Sequence, residues 1–250
     1  MRVPAIPFDA DREAAELREY LGEAYDHGRL ERYEQQLEAE LAQVGDEQAF
    51  YRTSEGYLYN LTAFAMSATK VPYLADLTRI APPAARLLDY GCGIGSDGLL
   101  LLEMGYRVEF ADFDNPSTRY LRWRLERRGL HAPVHDLDAG VPPRGFDLAF
   151  AFDVIEHVPE PFAFLDAMEG AAAVVLVNLL EPKQGETALH HELPIRSILA
   201  RGRDRGLVHY RRHHESSHLV AYGGAPPGGL AAGIRSRAAL RAALRRPAVR

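Results

Sequence analysis

The sequence predicts an α/β fold: a mostly parallel seven-stranded sheet with helices on both faces, closed by an antiparallel C-terminal hairpin and preceded by an N-terminal helical lid. Three observations carry this reading. From residue 85 onward, short apolar runs alternate with helical patterns, as parallel strands joined by crossover helices require. The first of those runs ends in a glycine-rich loop that opens a helix. Two later runs, GLVHYRRHH and SHLVAYG, meet at Glu215-Ser216 in the pattern of a hairpin.

Taken in order, residues 9–44 read as one or two amphipathic helices. Leu17, Tyr20, Leu21 and Tyr25 keep helical spacing, as do Leu30, Tyr33, Leu37 and Leu41, with His27-Gly28 as the break. Residues 50–80 are aromatic-rich and read as short helices, with Thr53 or Ser54 as an N-cap. ARLLDY is a strand, SDGLLLLEMG a helix and YRVEFAD a strand. NPSTRYLRWRLERRG is a helix capped by Asn115, started by Pro116 and stopped at Gly129. APVHDL and FDLAFAFDV are strands, EPFAFLDAMEG a helix, AAAVVLVNLL a buried strand and ELPIRSILARGRDRG a helix. Residues 1–80 are thus expected to form the lid, 81–224 the ligand-binding domain, and 225–250 a Pro/Gly-rich linker with a short basic helix or solvated tail.

Composition narrows the classes. At 47% hydrophobic and 26% charged residues the chain is ordinary globular material, not disordered or collagen-like. A single cysteine excludes an internal disulfide and fits a reducing cytoplasm, the expected location. The longest apolar run is too short for the ~20 residues of a membrane helix, and the first residues lack a secretory pattern. A formal charge of -6 gives no general attraction to nucleic acid. The expected partner is a small molecule, nucleic acid is disfavoured, and nothing in the sequence specifies the oligomeric state.

The central motif is LLDYGCGIGSDG, Leu87 to Gly98. A buried strand runs into Gly91, Gly93 and Gly95, which permit positive φ and let a ligand lie against bare backbone, and N–H groups at the following helix start can meet an anionic group. A dinucleotide loop has G-x-G-x-x-G spacing, but the third glycine position is Ser96. At the end of the second strand stands Asp112, a carboxylate suited to both hydroxyls of a ribose, followed by the apolar Phe113. Cys92 reads as a small loop residue, Gly98 as a close packing site, and Asp114 as a helix cap.

The G-x-G-x-G loop with Asp89 before it resembles motif I of the class I S-adenosylmethionine-dependent methyltransferases. FDLAFAFDVIEHVPEP resembles the same family's fourth-strand signature, an apolar strand followed by acid-x-x-Glu-His and a proline turn. The likeness covers residues 85–180, is to the small-molecule branch that includes the ubiquinone-biosynthesis O-methyltransferases, and implies a Rossmann-like fold. It implies S-adenosylmethionine as cofactor, held by Asp89, Gly91, Cys92, Gly93, Gly95, Asp112, Phe113, Asp136, Leu137 and Asp153, with Asp136 or Leu137 at the adenine edge.

The transferred methyl sits on an already activated sulfonium, so the chain must align the acceptor and remove its proton where needed. His157 is the candidate base, with Glu156 beside it. Tyr51 and Tyr57 of the lid, and His190 and His191 after the fifth strand, are the candidate substrate contacts. Six of the ten histidines lie between residues 190 and 218. Acid-x-x-Glu-His with a later histidine also resembles the metal site of the small-RNA 3′-end 2′-O-methyltransferases. A divalent metal suits such ligands, yet the reading assigns no residue as a metal ligand. The alternatives to a small-molecule O- or N-methyltransferase are a metal-assisted enzyme acting on an RNA ribose or a catechol-like acceptor, and a protein that binds S-adenosylmethionine without turnover. An RNA groove would draw on Arg201, Arg203, Arg205, Arg211 and Arg212.

Overall fold

The computed structural model describes residues 5–181, 189–224 and 230–245. Within them lie α1 (Ala10–Leu21), α2 (His27–Glu31), α3 (Tyr33–Val44), α4 (Glu47–Thr53), α5 (Tyr57–Met66) and α6 (Val71–Ile80). Then follow β1 (Arg86–Tyr90), α7 (Ser96–Glu103), β2 (Arg107–Asp112), α8 (Pro116–Arg127), β3 (Val134–Asp136), β4 (Phe146–Ala151), α9 (Pro161–Ala171), β5 (Ala172–Leu180), α10 (Ile195–Asp204), β6 (Leu207–His213), β7 (Ser217–Gly223) and α11 (Leu230–Arg245). The seven strands form one sheet in the order β3-β2-β1-β4-β5-β7-β6. β2 and β3 pair in parallel, as do β4 and β5. β7 runs antiparallel to both β5 and β6, so the closing hairpin inserts its second strand next to β5 and leaves β6 at the edge.

Local chemistry explains most boundaries. Asn115 and Thr118 form a reciprocal capping box at the start of α8 with Pro116 in its first turn, an arrangement worth about 1 kcal/mol at the cap residue alone. Asp114 is not the cap; it pairs with Arg122 at 3.0 Å. Ser54 Oγ accepts the Tyr57 N–H at 2.9 Å and so serves the start of α5. The first helical break falls at Gly22, whose φ is 55°, and not at His27-Gly28, which open α2 under an Asp26 cap. Of the two forms expected after residue 224, a short basic helix or a tail, the described residues form a helix. α11 is a 16-residue helix with Ser236 and Leu240 buried, while residues 225–229 and 246–250 lie outside the described residues.

The chain divides into two compact units, Ala5–Leu74 with Asp89–Pro142, and Ala75–Leu88 with Pro143–Arg250. In the first, Leu17 of α1, Leu30 of α2, and Leu58 and Tyr59 of α5 bury together with Ile94 and with Tyr120 of α8; Tyr20, Leu61 and Trp123 pack against them. In the second, β5 is buried along most of its length, as a strand covered on both faces must be.

The edge strand β6 is tied down by one carboxylate. Asp76 of α6 is fully buried and meets His213 Nε2 at 3.0 Å, His209 Nε2 at 3.3 Å and Arg211 Nη1 at 3.0 Å, with Arg79 also paired to it. Positions 209, 211 and 213 share one side of the strand, which is why all three converge. Burial alone would raise the Asp76 pKa, but the hydrogen bond to His213 and the adjacent His209 and Arg211 hold it well below the ordinary carboxylate range. A carboxyl so depressed stabilises the fold above its unfolded pKa near 4 and loses that stabilisation as pH falls. Asp76→Asn is therefore expected to cost about 3–5 kcal/mol at pH 7, the range for breaking a buried ion pair. The gap between variant and wild type in urea denaturation should narrow below about pH 4; an equal gap at pH 7 and pH 3 would contradict this account.

Candidate functional site

The glycine loop follows from β1, whose Leu87 and Leu88 are buried and whose last residues lead into Gly91, Gly93 and Gly95 at φ 77°, 51° and 72°. Gly95 is demanded twice over. It caps α7 in the left-handed region, and a Cβ there would lie 2.3 Å from Leu121 Cδ1. Backbone bonds then shape the loop: Gly91 N–H donates to the Ala111 carbonyl and Gly95 N–H to the Cys92 carbonyl, each at 2.8 Å.

Asp112 joins this loop to the end of β2. Its Oδ2 accepts the Gly93 N–H and its Oδ1 the Phe113 N–H, both at 2.7 Å. Burial raises its pKa, and the two N–H donors oppose that shift. Strand pairing sets Asp136 opposite Asp112, and Leu137 N–H donates to the Asp112 carbonyl at 3.0 Å. Asp112, Phe113, Asp136 and Leu137 therefore gather where β2 and β3 end, with Phe113 37% exposed.

Three residues in and beside the loop have local roles of their own. Asp89 is buried and accepts the Gly98 N–H at 3.1 Å, tying β1 to α7; burial, with Asp97 nearby, pushes its pKa well up. Gly98 is a packing site, since a Cβ would stand 2.3 Å from a Phe110 ring carbon. Burial likewise pushes the Cys92 thiol well up, the reverse of what a reactive thiolate needs.

Tyr51 and Tyr57 are half-buried and form an aromatic cluster with Phe50, their ring centroids 5.2 Å apart. Between them in sequence, Arg52 pairs with Asp138 in the segment after β3, and its guanidinium lies 4.5 Å from the Phe113 ring centre. Sequence reasoning passed over Arg52; its place beside Tyr51, in a segment already read as a lid, was the available signal.

The second cluster lies in the other unit, after β4. Asp153 takes a left-handed φ of 54°, unusual for a residue with a Cβ. Asn178 of β5 holds it reciprocally, accepting the Asp153 N–H and donating to Asp153 Oδ1, each at 2.7 Å. Asn178 was missed because it reads as a polar interruption in an apolar strand. A short 3₁₀ turn, Ile155–His157, follows, with Glu156 buried. His157 Nδ1 lies 2.9 Å from the Leu189 carbonyl, which can only accept, so the proton sits on Nδ1 and Nε2 keeps its lone pair. Burial, aided by His190, pushes the His157 pKa down to about 4, so this imidazole is neutral at pH 7. The His190 ring stands 4.8 Å away, and Glu156, His157 and His190 each offer a ligand atom within 4.8 Å of the others. His191 joins through its backbone N–H, which donates to the Glu156 carbonyl at 2.7 Å.

The remaining histidines and the arginines of the same region serve other contacts. His209 and His213 meet Asp76, and His218 bridges Tyr210 and Glu181. Arg201 and Arg205 pair with Glu169, Arg203 with Asp204, Arg211 with Asp76 and Arg212 with Glu181. Among the described residues, no helix is long and apolar enough to cross a membrane.

Comparison with known proteins identifies the same region. A family model described as a methyltransferase domain matches residues 59–194. Among curated proteins, the chain is 26% identical over 166 residues to a ubiquinone biosynthesis O-methyltransferase of Xanthomonas campestris pv. campestris, covering 63% of this chain and 67% of that one. It is 29% identical over 155 residues to glycine N-methyltransferase of Homo sapiens, covering 57% of this chain and 45% of the enzyme. Among solved structures, the mitomycin 7-O-methyltransferase MmcR shares the fold at a TM-score of 0.55 and 15% identity, over 88% of this chain and 74% of that one.

Gly95→Ala is expected to destabilise the chain by more than the 1–2 kcal/mol of a left-handed alanine, because the added methyl also meets buried Leu121. Gly105→Ala is the control: it too has positive φ, but a Cβ there meets nothing within 4 Å. Equal losses for both variants in urea denaturation would show that Leu121 contributes nothing.

Proposed function

The chain belongs to the methyltransferase-domain family and is a class I S-adenosylmethionine-dependent methyltransferase; from that membership we propose that it methylates an oxygen or nitrogen of a small molecule. The observation that carries the cofactor half of this reading is Asp112, whose two oxygens are already oriented by the Gly93 and Phe113 N–H groups. Each oxygen keeps a second lone pair for a ribose hydroxyl. Gly91, Gly93 and Gly95 leave bare backbone for the methionine part, and Phe113 with Asp136 and Leu137 offers an apolar face and polar edge for adenine. Bound there, S-adenosylmethionine supplies a methyl group activated by its positively charged sulfur.

The protein's remaining work is alignment and proton removal. His157 Nε2 carries the lone pair that takes the acceptor's proton, and Glu156 and His190 surround it. Its depressed pKa keeps it unprotonated across the neutral range and makes it a modest base, so most of the rate would come from alignment. Tyr51, Tyr57 and His191 are the proposed acceptor contacts. One relative is named as an O-methyltransferase and another as an N-methyltransferase, which supports either acceptor atom.

A second reading is favoured by one observation, the convergence of Glu156, His157 and His190. Mixed carboxylate and imidazole donors fit manganese, iron or zinc, and three protein ligands leave a position open. A cation held by these residues would lower the pKa of a coordinated acceptor hydroxyl.

Two outcomes are expected. Asp112→Ala should weaken S-adenosylmethionine binding about 10- to 100-fold by calorimetry, the equivalent of one or two hydrogen bonds to a charged group; unchanged affinity would remove Asp112 from the site. Enzyme dialysed against a chelator should retain its methyl-transfer rate with an accepted phenol or amine. Loss of activity that returns with a divalent cation, and does not return in His190→Ala, would replace the first reading by the second.

A further inference from the structure

Arg124 is fully buried in α8, and its guanidinium reaches into two places at once. On one side it pairs with the N-terminal helix: Nε donates to Glu16 Oε2 at 2.8 Å and Nη2 to Glu13 Oε1 at 2.5 Å. On the other it grips the glycine loop. Nη1 donates to the Ile94 carbonyl and to Ser96 Oγ, both at 2.9 Å. These two residues flank Gly95. Ser96 Oγ in turn donates to Glu13 Oε2 at 2.7 Å, which closes a ring of hydrogen bonds between α1 and the loop.

A buried guanidinium loses its hydration at a cost that only charge and hydrogen bonds can offset. Fastening α1 to α8 does not require that cost to be met here. Neighbouring Arg128 already holds Glu16 with two donors at 2.7 Å and Glu103 with a third at 3.0 Å, and Tyr20 packs on Trp123. What Arg124 adds is its contact with the loop. Three left-handed glycines give that backbone wide freedom, and Arg124 restricts it at the residues on both sides of Gly95, in addition to the Asp112 anchor at Gly93.

We propose that Arg124 is a positioning residue of the cofactor site, and that Glu13 and Glu16 of the N-terminal helix set cofactor affinity through it. The inference rests on the glycine loop being the S-adenosylmethionine site. Seating of α1 and occupancy of the loop are then one coupled equilibrium, with each favouring the other.

The test separates affinity from stability. Arg124→Lys keeps the charge but cannot fork between Glu13, Ile94 and Ser96; Ser96→Ala removes one link with no change of charge. Asp76→Asn serves as a destabilised control, because Asp76 belongs to the other compact unit. Titrated with S-adenosylmethionine well below each melting temperature, Arg124→Lys should bind at least tenfold more weakly and Ser96→Ala about three- to tenfold more weakly, while Asp76→Asn binds as wild type. On binding, the α1 amides of wild type should gain protection from hydrogen exchange, and those of Ser96→Ala should gain less. Wild-type affinity in Ser96→Ala, or in a folded Arg124→Lys with a lowered melting temperature, would reduce Arg124 to a structural ion pair and overturn the proposal. If Arg124→Lys does not fold, Ser96→Ala decides alone. Failure of wild type itself to bind would instead overturn the cofactor reading on which the proposal rests.

Discussion

Between Tyr90 and Ser96 the backbone turns left-handed three times, and glycine has no side chain with which to hold itself there. Beyond its own Gly95 to Cys92 backbone bond, what shapes this loop comes from elsewhere in the chain. Asp112 anchors Gly93 from the end of β2, Leu121 closes the space beneath Gly95, and Arg124 takes the carbonyl and hydroxyl on either side of it. Asp89 then ties the preceding strand to the helix that follows. A loop with bare backbone is useful to a ligand only if it is rigid before the ligand arrives. Here the rigidity comes from hydrogen bonds to three ionisable groups, the buried Asp89 and Arg124 and the half-buried Asp112.

The same logic governs the second compact unit. Asp76 gathers two histidines and two arginines onto one carboxylate, and Asn178 holds Asp153 in a conformation that its Cβ disfavours. Backbone strain of this kind persists only where surrounding bonds over-determine it. It stands immediately before the Ile155–His157 turn, where a neutral imidazole, a buried carboxylate and a second imidazole converge. Histidine-rich sequence does not therefore mean one histidine-rich site. Of the six histidines between 190 and 218, His209 and His213 face Asp76 and His218 bridges Tyr210 and Glu181, while His190 brings its ring to Glu156 and His157 and His191 lies close enough to bear on the His157 charge.

Much of the fold was legible because its signals are local. The Asn115-Pro116 start of α8, the alternating strands and helices, and the turn at Glu215-Ser216 each depend on a few adjacent residues. Three glycines ending a buried strand, with an acid ending the next, marked the loop and Asp112 for the same reason. What escaped depends on contacts far apart in sequence. Arg124 sits in an arginine-rich helical stretch, and nothing nearby in sequence shows that Glu13 and Glu16 will bury it. Asn178 needs Asp153, and Arg52 needs Asp138. The helical break at Gly22 was misplaced because His27-Gly28 carries an equally good glycine signal, and only the Asp26 cap, which serves the helix that follows, decides between them.

The central claim is that the loop between β1 and α7 is built for S-adenosylmethionine and not for a dinucleotide, since Ser96 stands where the third dinucleotide glycine would be. Calorimetric titration of the wild-type chain with S-adenosylmethionine and, separately, with NAD tests this most directly. The account predicts saturable one-to-one binding of S-adenosylmethionine and no heat from NAD. Saturable binding of NAD with none of S-adenosylmethionine would contradict it.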